Sequence, residues 1–162
     1  MDKADFIVEL TQLLRDEGIL YAVIGGQAVN AYADPLVSLD LDLAVAVEHQ
    51  EKVEALLGAR FKVQRFPHSL NVSQIDSDLR VQIQTDPRYS EFVKRAVDRP
   101  VLGLTLPVAD VRDVLQGKIW AAQDSTRRPS KQAKDRLDIL RLLEQYPELR
   151  SMVPDDILNR LV

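Results

Sequence analysis

The chain contains no cysteine, so disulfides, thiolate metal sites and cysteine nucleophiles are all excluded. Its two histidines, His49 and His68, are isolated in the sequence, which makes a histidine-based zinc site unexpected. No apolar run is long enough to cross a membrane, and the first residues carry acid where a signal peptide carries base and apolar side chains. These absences predict a cytoplasmic protein with no membrane partner.

An excess of positive charge is also missing, because the formal net charge is −4. This balance argues against a protein that coats nucleic acid without specificity, although a local basic patch is compatible with it. The 162 residues suit one structural domain. Within it we expect an α/β core over residues 1–107 and a helical C-terminal part over residues 108–162, packed on that core.

The most informative stretch runs from residue 21 to residue 47. A short apolar run rich in β-forming residues, 21–24, predicts a buried strand, and Gly25-Gly26 ends it. A helical pattern follows and stops at Asp34-Pro35. Residues 39–47 then alternate strictly between apolar and other side chains, which predicts a second strand with Asp40 and Asp42 side by side on one face.

Neighbouring carboxylates on an apolar strand repel each other, and burying either charge without a partner is costly. Mg²⁺ or Mn²⁺ relieves that cost, because hard oxygen ligands suit such ions and substrate phosphates complete their coordination. The two glycines let the backbone approach a ligand closely, and the helix that they open presents free N–H groups to an anion. A metal-binding pair and a phosphate platform this close together predict a nucleotide site.

Ile24-Gly25-Gly26 followed by Asp40-Leu41-Asp42 resembles the signature of the nucleotidyltransferase superfamily, which has the DNA polymerase beta fold. Within it the chain is most similar to the AbiEii-type toxin branch. As single motifs, a Gly-Gly pair is found in many turns and a D-x-D triplet on many solvated strands. Their order and spacing carry the resemblance.

Other segments supply the rest of the fold. Helical periodicity predicts helices over 2–17, with Asp2 as N-cap, and over 48–57, 89–97, 109–123, 130–145 and 154–161. Strands are predicted over 61–66, 70–75 and 79–84, and over 101–106 between Pro100 and Pro107. We therefore expect an α+β fold, a small mixed β-sheet with helices on one face plus C-terminal helices.

The superfamily resemblance implies a third metal-binding carboxylate on a strand adjacent to the Asp40 strand. The matching position here is Gln82, which can accept a hydrogen bond but cannot neutralise charge. Asp86 would substitute only if the strand ended early. This departure weakens the expectation of catalysis without affecting that of the fold.

Lys118 interrupts an apolar helical stripe. Either its long stem reaches past the edge of the core to solvent, or its charge reaches the phosphate site. The second alternative agrees with AbiEii-type proteins, which have a lysine on the helix after the sheet. Gly117 beside it predicts close backbone packing at that point.

The next helix, 130–145, carries a charged run from Lys131 to Arg141 and an apolar stripe for which we predict Leu137, Leu140 and Leu143. The charges form either a solvated, salt-bridged face or part of the site. The family resemblance favours the site, in which Asp135 or Asp138 would be a general base or an anchor for the lysine. The basic residues Arg127-Arg128, Lys131 and Lys134 would meet the phosphates of an RNA acceptor.

The leading hypothesis is a nucleotidyltransferase that uses NTP and Mg²⁺ or Mn²⁺ and modifies a hydroxyl of RNA, tRNA or protein, as the toxin of a pair with an antitoxin. Its metal ligands would be Asp40 and Asp42, and its catalytic groups would include Lys118 and Asp135. Nucleotide phosphates would contact Gly25, Gly26, Ser38 and Lys118. The alternatives are a degenerate relative that binds nucleotide or protein without turnover, which Gln82 favours, and a purely structural interaction domain.

Overall fold

The computed structural model describes residues 3–161, and the capping role expected of Asp2 lies outside them. The α-helices are α1 Lys3–Asp16, α2 Gly25–Tyr32, α3 Gln50–Gly58, α4 Val111–Gln123, α5 Pro129–Gln145 and α6 Asp155–Leu158. Short 3₁₀ helices occupy Val47–His49, Pro87–Arg95 and Pro147–Met152. Of the described helices, none combines the length and the apolar character that a membrane span requires.

Seven strands form one mixed sheet. They are β1 Tyr21–Ile24, β2 Asp40–Val45, β3 Lys62–Phe66, β4 Ser69–Ser73, β5 Arg80–Gln84, β6 Val97–Val101 and β7 Leu104–Val108. Their order across the sheet is β3-β4-β5-β2-β1-β7-β6. The pairs β2–β5 and β1–β7 are parallel, and the other neighbours are antiparallel. The expected α+β class with a mixed sheet is confirmed.

The central strands separate the core from a polar face. Leu41 and Leu43 of β2 and Ile83 of β5 are fully buried, whereas Asp40 and Asp42 alternate with them on the opposite side. Helices α1 and α3 lie together, and the ring of Phe6 contacts that of Phe61 at 5.1 Å between centroids. The alternation of side chains in the sequence therefore predicts correctly which face of this part of the sheet is buried.

The strand predicted over 101–106 is wrong in its bounds, because a hairpin occupies this region. Leu102 and Gly103 have φ of 52° and 82° and reverse the chain between β6 and β7. Pro100 and Pro107 lie inside these strands instead of bounding them. Since β6 is at the sheet edge, the missing N–H of Pro100 is tolerated there.

Helices α4 and α5 pack along each other, and both contact α2. The stripe predicted for α5 is wrong in part, because Leu137 is exposed while Asp135 and Asp138 are buried with Ile139. The interpretation of these acids as a solvated face is therefore wrong as well. Their burial follows from the cations that surround them in the site described next.

Candidate active site

The glycine turn and the carboxylate pair meet at one point of the sheet. Ile24 at the end of β1 lies opposite Asp42 on β2, so Gly25 follows directly beside that carboxylate. Gly25 has φ of +68°, and a Cβ added there would collide with Oδ2 of Asp42. Glycine is required at this position because it accepts the left-handed backbone without strain and, having no Cβ, leaves room for the carboxylate.

The two carboxylates have different surroundings. Asp40 pairs with Arg80 across the β2–β5 ladder, with 2.8 Å between Oδ1 and Nε. Asp42 has no cation within 4 Å among the described residues. Burial raises the pKa of Asp42, and the charge of Asp40 adds to the rise, while Lys118 and more distant cations oppose it. Asp42 is thus a carboxylate whose charge lacks a direct partner.

Gln82 occupies the position expected for a third ligand. The ladder places it opposite Asp42, so the strand alignment inferred from sequence is confirmed. Asp86 does not substitute, because its carboxylate caps the following 3₁₀ helix through the N–H of Arg88. Within residues 3–161, no group of three His, Cys, Asp or Glu residues is placed to hold a metal.

A cleft of about 440 Å³ lies over the polar face of the sheet. Its lining includes three carboxylates and six cations, so the local charge is positive although the whole chain is negative. Gly26 and Ser38 lie on this lining, and the Ser38 hydroxyl accepts a hydrogen bond from the Asp40 N–H at 3.1 Å. The cations are Lys62, Arg80, Lys118, Arg127, Lys131 and Lys134.

Lys118 points into this cleft and is only 7% exposed. Its ammonium lies 2.8 Å from Oδ2 of Asp138 and 3.2 Å from Oδ1 of Asp135. Burial opposes the charge, but the two carboxylates outweigh it and raise the pKa of Lys118. The stem therefore does not carry the charge out to solvent, and that interpretation is wrong.

Asp135 and Asp138 hold three cations of the cleft in place, namely Lys118, Arg127 and Lys134. Asp135 also contacts Arg127, with 2.7 Å between Oδ2 and Nε. Asp138 is fully buried and accepts a 2.8 Å hydrogen bond from Arg141. Burial would raise the pKa of Asp138, but Lys118 and its other cations hold it below its ordinary range. The Asp138 carboxylate is therefore a poor proton acceptor, and the contacts of Asp135 with Lys118 and Arg127 favour the anchoring role over that of a general base.

Sequence reasoning assigned Lys134 to RNA and missed that its ammonium lies over the glycine turn. Its Nζ lies 3.2 Å from the position of a Cβ added to Gly26 and 3.6 Å from Oδ2 of Asp138. The ammonium therefore covers the glycine turn at the start of α2. Its spacing of four residues from Asp138 on one helix is the signal that would have found it.

A second cavity of about 120 Å³ lies on the other side of Asp42. Tyr89 and Phe92 line it, and they pack with Trp120. Gly117 also lines it, and a Cβ there would lie 3.3 Å from the Tyr89 ring, so the close packing expected at Gly117 is confirmed. These aromatic side chains form one wall of the second cavity.

A family model described as "Nucleotidyl transferase AbiEii toxin, Type IV TA system" matches residues 26–162. The chain belongs to the AbiEii nucleotidyltransferase toxin family. The resemblance drawn from Gly25-Gly26 and the Asp40 strand is thereby confirmed. No curated protein matches the chain.

Solved structures of similar fold include nucleotidyltransferases. ANT(2'')-Ia in complex with adenylyl-2''-tobramycin is 15% identical, with a TM-score of 0.61 and 98% of each chain covered. Lincomycin-bound LnuA, a lincosamide antibiotic adenylyltransferase, is 11% identical, with a TM-score of 0.54 over 84% of this chain and 95% of that one. A nucleotidyltransferase-like protein from Thermotoga maritima is 13% identical, with a TM-score of 0.52 over 93% and 97%. At these identities the likeness shows the fold.

The two glycines offer a matched pair of substitutions. Gly25→Ala should destabilise the fold by about 1–2 kcal/mol or more, from the left-handed backbone alone, and displace Asp42 as well. Gly26→Ala should leave stability nearly unchanged, since only the flexible end of Lys134 must move, but weaken nucleotide binding. Thermal unfolding and nucleotide titration measure both effects. Equal stability of the two variants would contradict the placement of Asp42 over Gly25.

Proposed function

We propose that this protein transfers a nucleotidyl group from an NTP to a hydroxyl of an RNA acceptor, with Mg²⁺ or Mn²⁺ as cofactor. The observation that carries the proposal is the unpaired carboxylate of Asp42, which lies beside Asp40 and over Gly25 in a cationic cleft. Membership of the AbiEii family supports nucleotidyl transfer as the reaction. An antitoxin partner and a cytoplasmic location belong to the same proposal.

The residues present fit a divalent cation. Asp40 and Asp42 offer oxygen ligands from one strand face, and the raised pKa of Asp42 marks a charge that a cation would stabilise. Arg80 contacts Oδ1 of Asp40, which leaves Oδ2 for a metal. When bound, the ion would neutralise the triphosphate and align it for displacement.

The phosphates would occupy the side of the cleft formed by the glycine turn. Gly25 and Gly26 provide backbone N–H groups at the start of α2. The Ser38 oxygen accepts a hydrogen bond from the Asp40 N–H, so the Ser38 hydroxyl hydrogen can donate to a phosphate. Lys118 and Lys134 would neutralise charge on the phosphates. Asp135 acts here as the anchor that positions Lys118 and Arg127.

The transfer is an in-line displacement at the α-phosphorus. The bond from the acceptor oxygen to the α-phosphorus forms while the bond to the bridging oxygen of the β-phosphate breaks, and pyrophosphate leaves. The proton of the acceptor hydroxyl passes to water in the open cleft. No protein group is assigned as the base, because Asp135 already contacts two cations and the Gln82 amide cannot take up a proton.

The charge of the cleft favours RNA as the acceptor. Its cations outnumber its carboxylates by six to three, which suits a polyanion and disfavours an acceptor with several amines. A direct test is incubation with each labelled NTP and total RNA, followed by separation of RNA from protein. Label on RNA is the expected result, and label on protein alone would overturn the assignment of the acceptor.

A second candidate function is nucleotide binding without turnover. The observation in its favour is Gln82, which leaves the metal site with two carboxylates where the superfamily resemblance implies three. Nucleotide binding in the absence of any labelled product, across all four NTPs and both RNA and protein acceptors, would establish this alternative.

Gln82→Asp should restore the missing carboxylate and tighten the binding of free Mn²⁺ in the absence of nucleotide by about tenfold or more. The reason is that a third negative ligand joins Asp40 and Asp42 on the same face of adjacent strands. Titration calorimetry of both proteins with Mn²⁺ measures the change. Equal affinities would show that residue 82 does not contact the metal.

A further inference from the structure

A row of side-chain amides crosses the cleft floor away from the phosphate groups. Gln82 on β5 lies opposite Asn71 on β4, and Asn71 lies opposite Gln64 on β3. Gln82 in turn is the partner of Asp42. Since neighbouring strands lie about 4.8 Å apart, the row extends roughly 14 Å from the carboxylate. We name Gln82, Asn71 and Gln64 the amide row.

The amide row is available for binding. All three residues are exposed, and their side-chain amides make no hydrogen bond with another residue of the described chain. The opposite face of β4 and β5 is buried core, which includes Leu70, Val72 and Val81. These amides therefore line the large cleft and contribute no side-chain hydrogen bond to the described fold.

The position of the row fits the acceptor. In the sheet, β1 and its glycine turn lie on one side of β2, whereas β5, β4 and β3 lie on the other. An in-line displacement needs the attacking oxygen opposite the departing pyrophosphate. With phosphates held at the glycine turn, the acceptor must approach from the side where the amide row begins.

The chemistry of the row suits a nucleotide chain. An amide offers both donors and an acceptor, which matches base edges and the ribose 2′-hydroxyl. Lys62 on β3 adds a cation for a phosphate near the far end of the row. No carboxylate of β3, β4 or β5 lies among the cleft-lining residues, so nothing on this floor repels phosphate.

We propose that the amide row, with Lys62, positions the terminal nucleotides of a single-stranded RNA acceptor beside Asp42. This inference rests on the proposed function for the identity of the reaction. The binding of RNA that it requires can be measured without turnover. Gln82 is the first residue of the row and lies beside the carboxylate pair of β2. Asn71 and Gln64 act as positioning residues that determine where the acceptor strand lies.

The test uses the full chain and a short fluorescent single-stranded RNA of mixed sequence with a free 3′-hydroxyl. Gln64→Ala combined with Asn71→Ala should weaken RNA binding by about tenfold, since two neutral hydrogen bonds are lost. A matched control replaces Gln145 and Asn159, two exposed amides outside the cleft, by alanine. Fluorescence anisotropy gives the dissociation constants.

A second comparison isolates the charge. Lys62 and Arg65 lie on opposite faces of β3, and Arg65 pairs with Glu54 away from the cleft. Lys62→Ala should weaken RNA binding and lower its salt dependence, whereas Arg65→Ala should change neither.

In steady-state assays the amide double variant should raise KM for RNA with little change in KM for NTP.

The outcomes separate the two proposals. Weakened binding in the cleft variants, with the controls unchanged, supports the amide row even if the wild-type protein transfers no label. Unchanged RNA affinity in the double variant overturns the amide row even if labelled RNA is formed. Failure of the wild-type protein to bind the RNA, or binding of a polypeptide acceptor in its place, also overturns it.

Discussion

Replacing both Asp40 and Asp42 by asparagine is expected to abolish the rise in Tm that Mg²⁺ with an NTP analogue produces in the wild-type protein. A ligand that binds only the native state stabilises it, so the size of the shift reports binding. The double variant removes both carboxylates that we propose as ligands, which lie on the same strand face. Thermal unfolding with and without the ligands measures the shift, and nucleotidyl transfer should disappear with it.

The control for this variant is a second pair with the same spacing, Asp76 and Asp78, which lies between β4 and β5 outside the cleft. Replacing both by asparagine changes the net charge equally and should preserve the ligand-induced shift. A shift that survived in the Asp40/Asp42 variant would contradict the metal site. Loss of the shift in both variants would trace the effect to overall charge.

Without ligands, Asp42→Asn should be as stable as the wild-type protein or more so at neutral pH. Burial raises the pKa of Asp42 above its ordinary value of 3.8. The native state therefore holds this proton more tightly than the unfolded state, and stability falls as pH rises through the interval between the two values. The advantage of asparagine should accordingly shrink as the pH falls toward that ordinary value.

Lys118→Met is expected to cost both stability and activity. The substitution keeps an apolar stem but leaves Asp135 and Asp138 without the cation that lies between them. Breaking a buried ion pair in this way typically costs about 3–5 kcal/mol, so a large loss of stability is expected together with weaker nucleotide binding. Lys94→Met, which removes an exposed lysine paired with Glu91, is the matched control and should be nearly neutral.

A double-mutant cycle separates the two losses. Asp138→Asn alone should destabilise the fold, because Lys118 and Arg141 lose a buried charged partner. Combined with Lys118→Met, it should cost less than the sum of the single substitutions, since the unpaired buried charge is gone. Transfer activity should stay lost in the double variant. Recovery of activity there would show that the lysine acts only through folding.

The pH dependence of stability gives an independent check on Asp138. Its pKa in the native state is lowered below the ordinary 3.8, so its contribution is present above that value and is lost as the pH falls through the native value. Asp138→Asn should therefore flatten the acid side of the Tm profile. An unchanged acid side would contradict the ion pairs assigned to this carboxylate.

Much of the fold was predictable because local rules and tertiary packing agree along the first half of the chain. Strict alternation predicted the two faces of β2 and turned Gln82 away from the core. The superfamily resemblance predicted that its strand lies next to β2, where Gln82 is indeed opposite Asp42. The 101–106 region failed because a two-residue turn at Leu102-Gly103 lies within what reads as one apolar run. Proline there indicated an end of structure, yet the edge strand β6 accepts Pro100.

The sequence by itself determined the carboxylate pair of β2, the glycine turn and the family, since each depends on residues close together in the chain. Only the tertiary structure decided which face of α5 is buried. Hydrophobicity placed Leu137 inside, yet Asp138 is buried and Leu137 is exposed. The physical reason is that a buried carboxylate is stable only with partners, and Lys118, the lysine that makes this burial favourable, comes from α4.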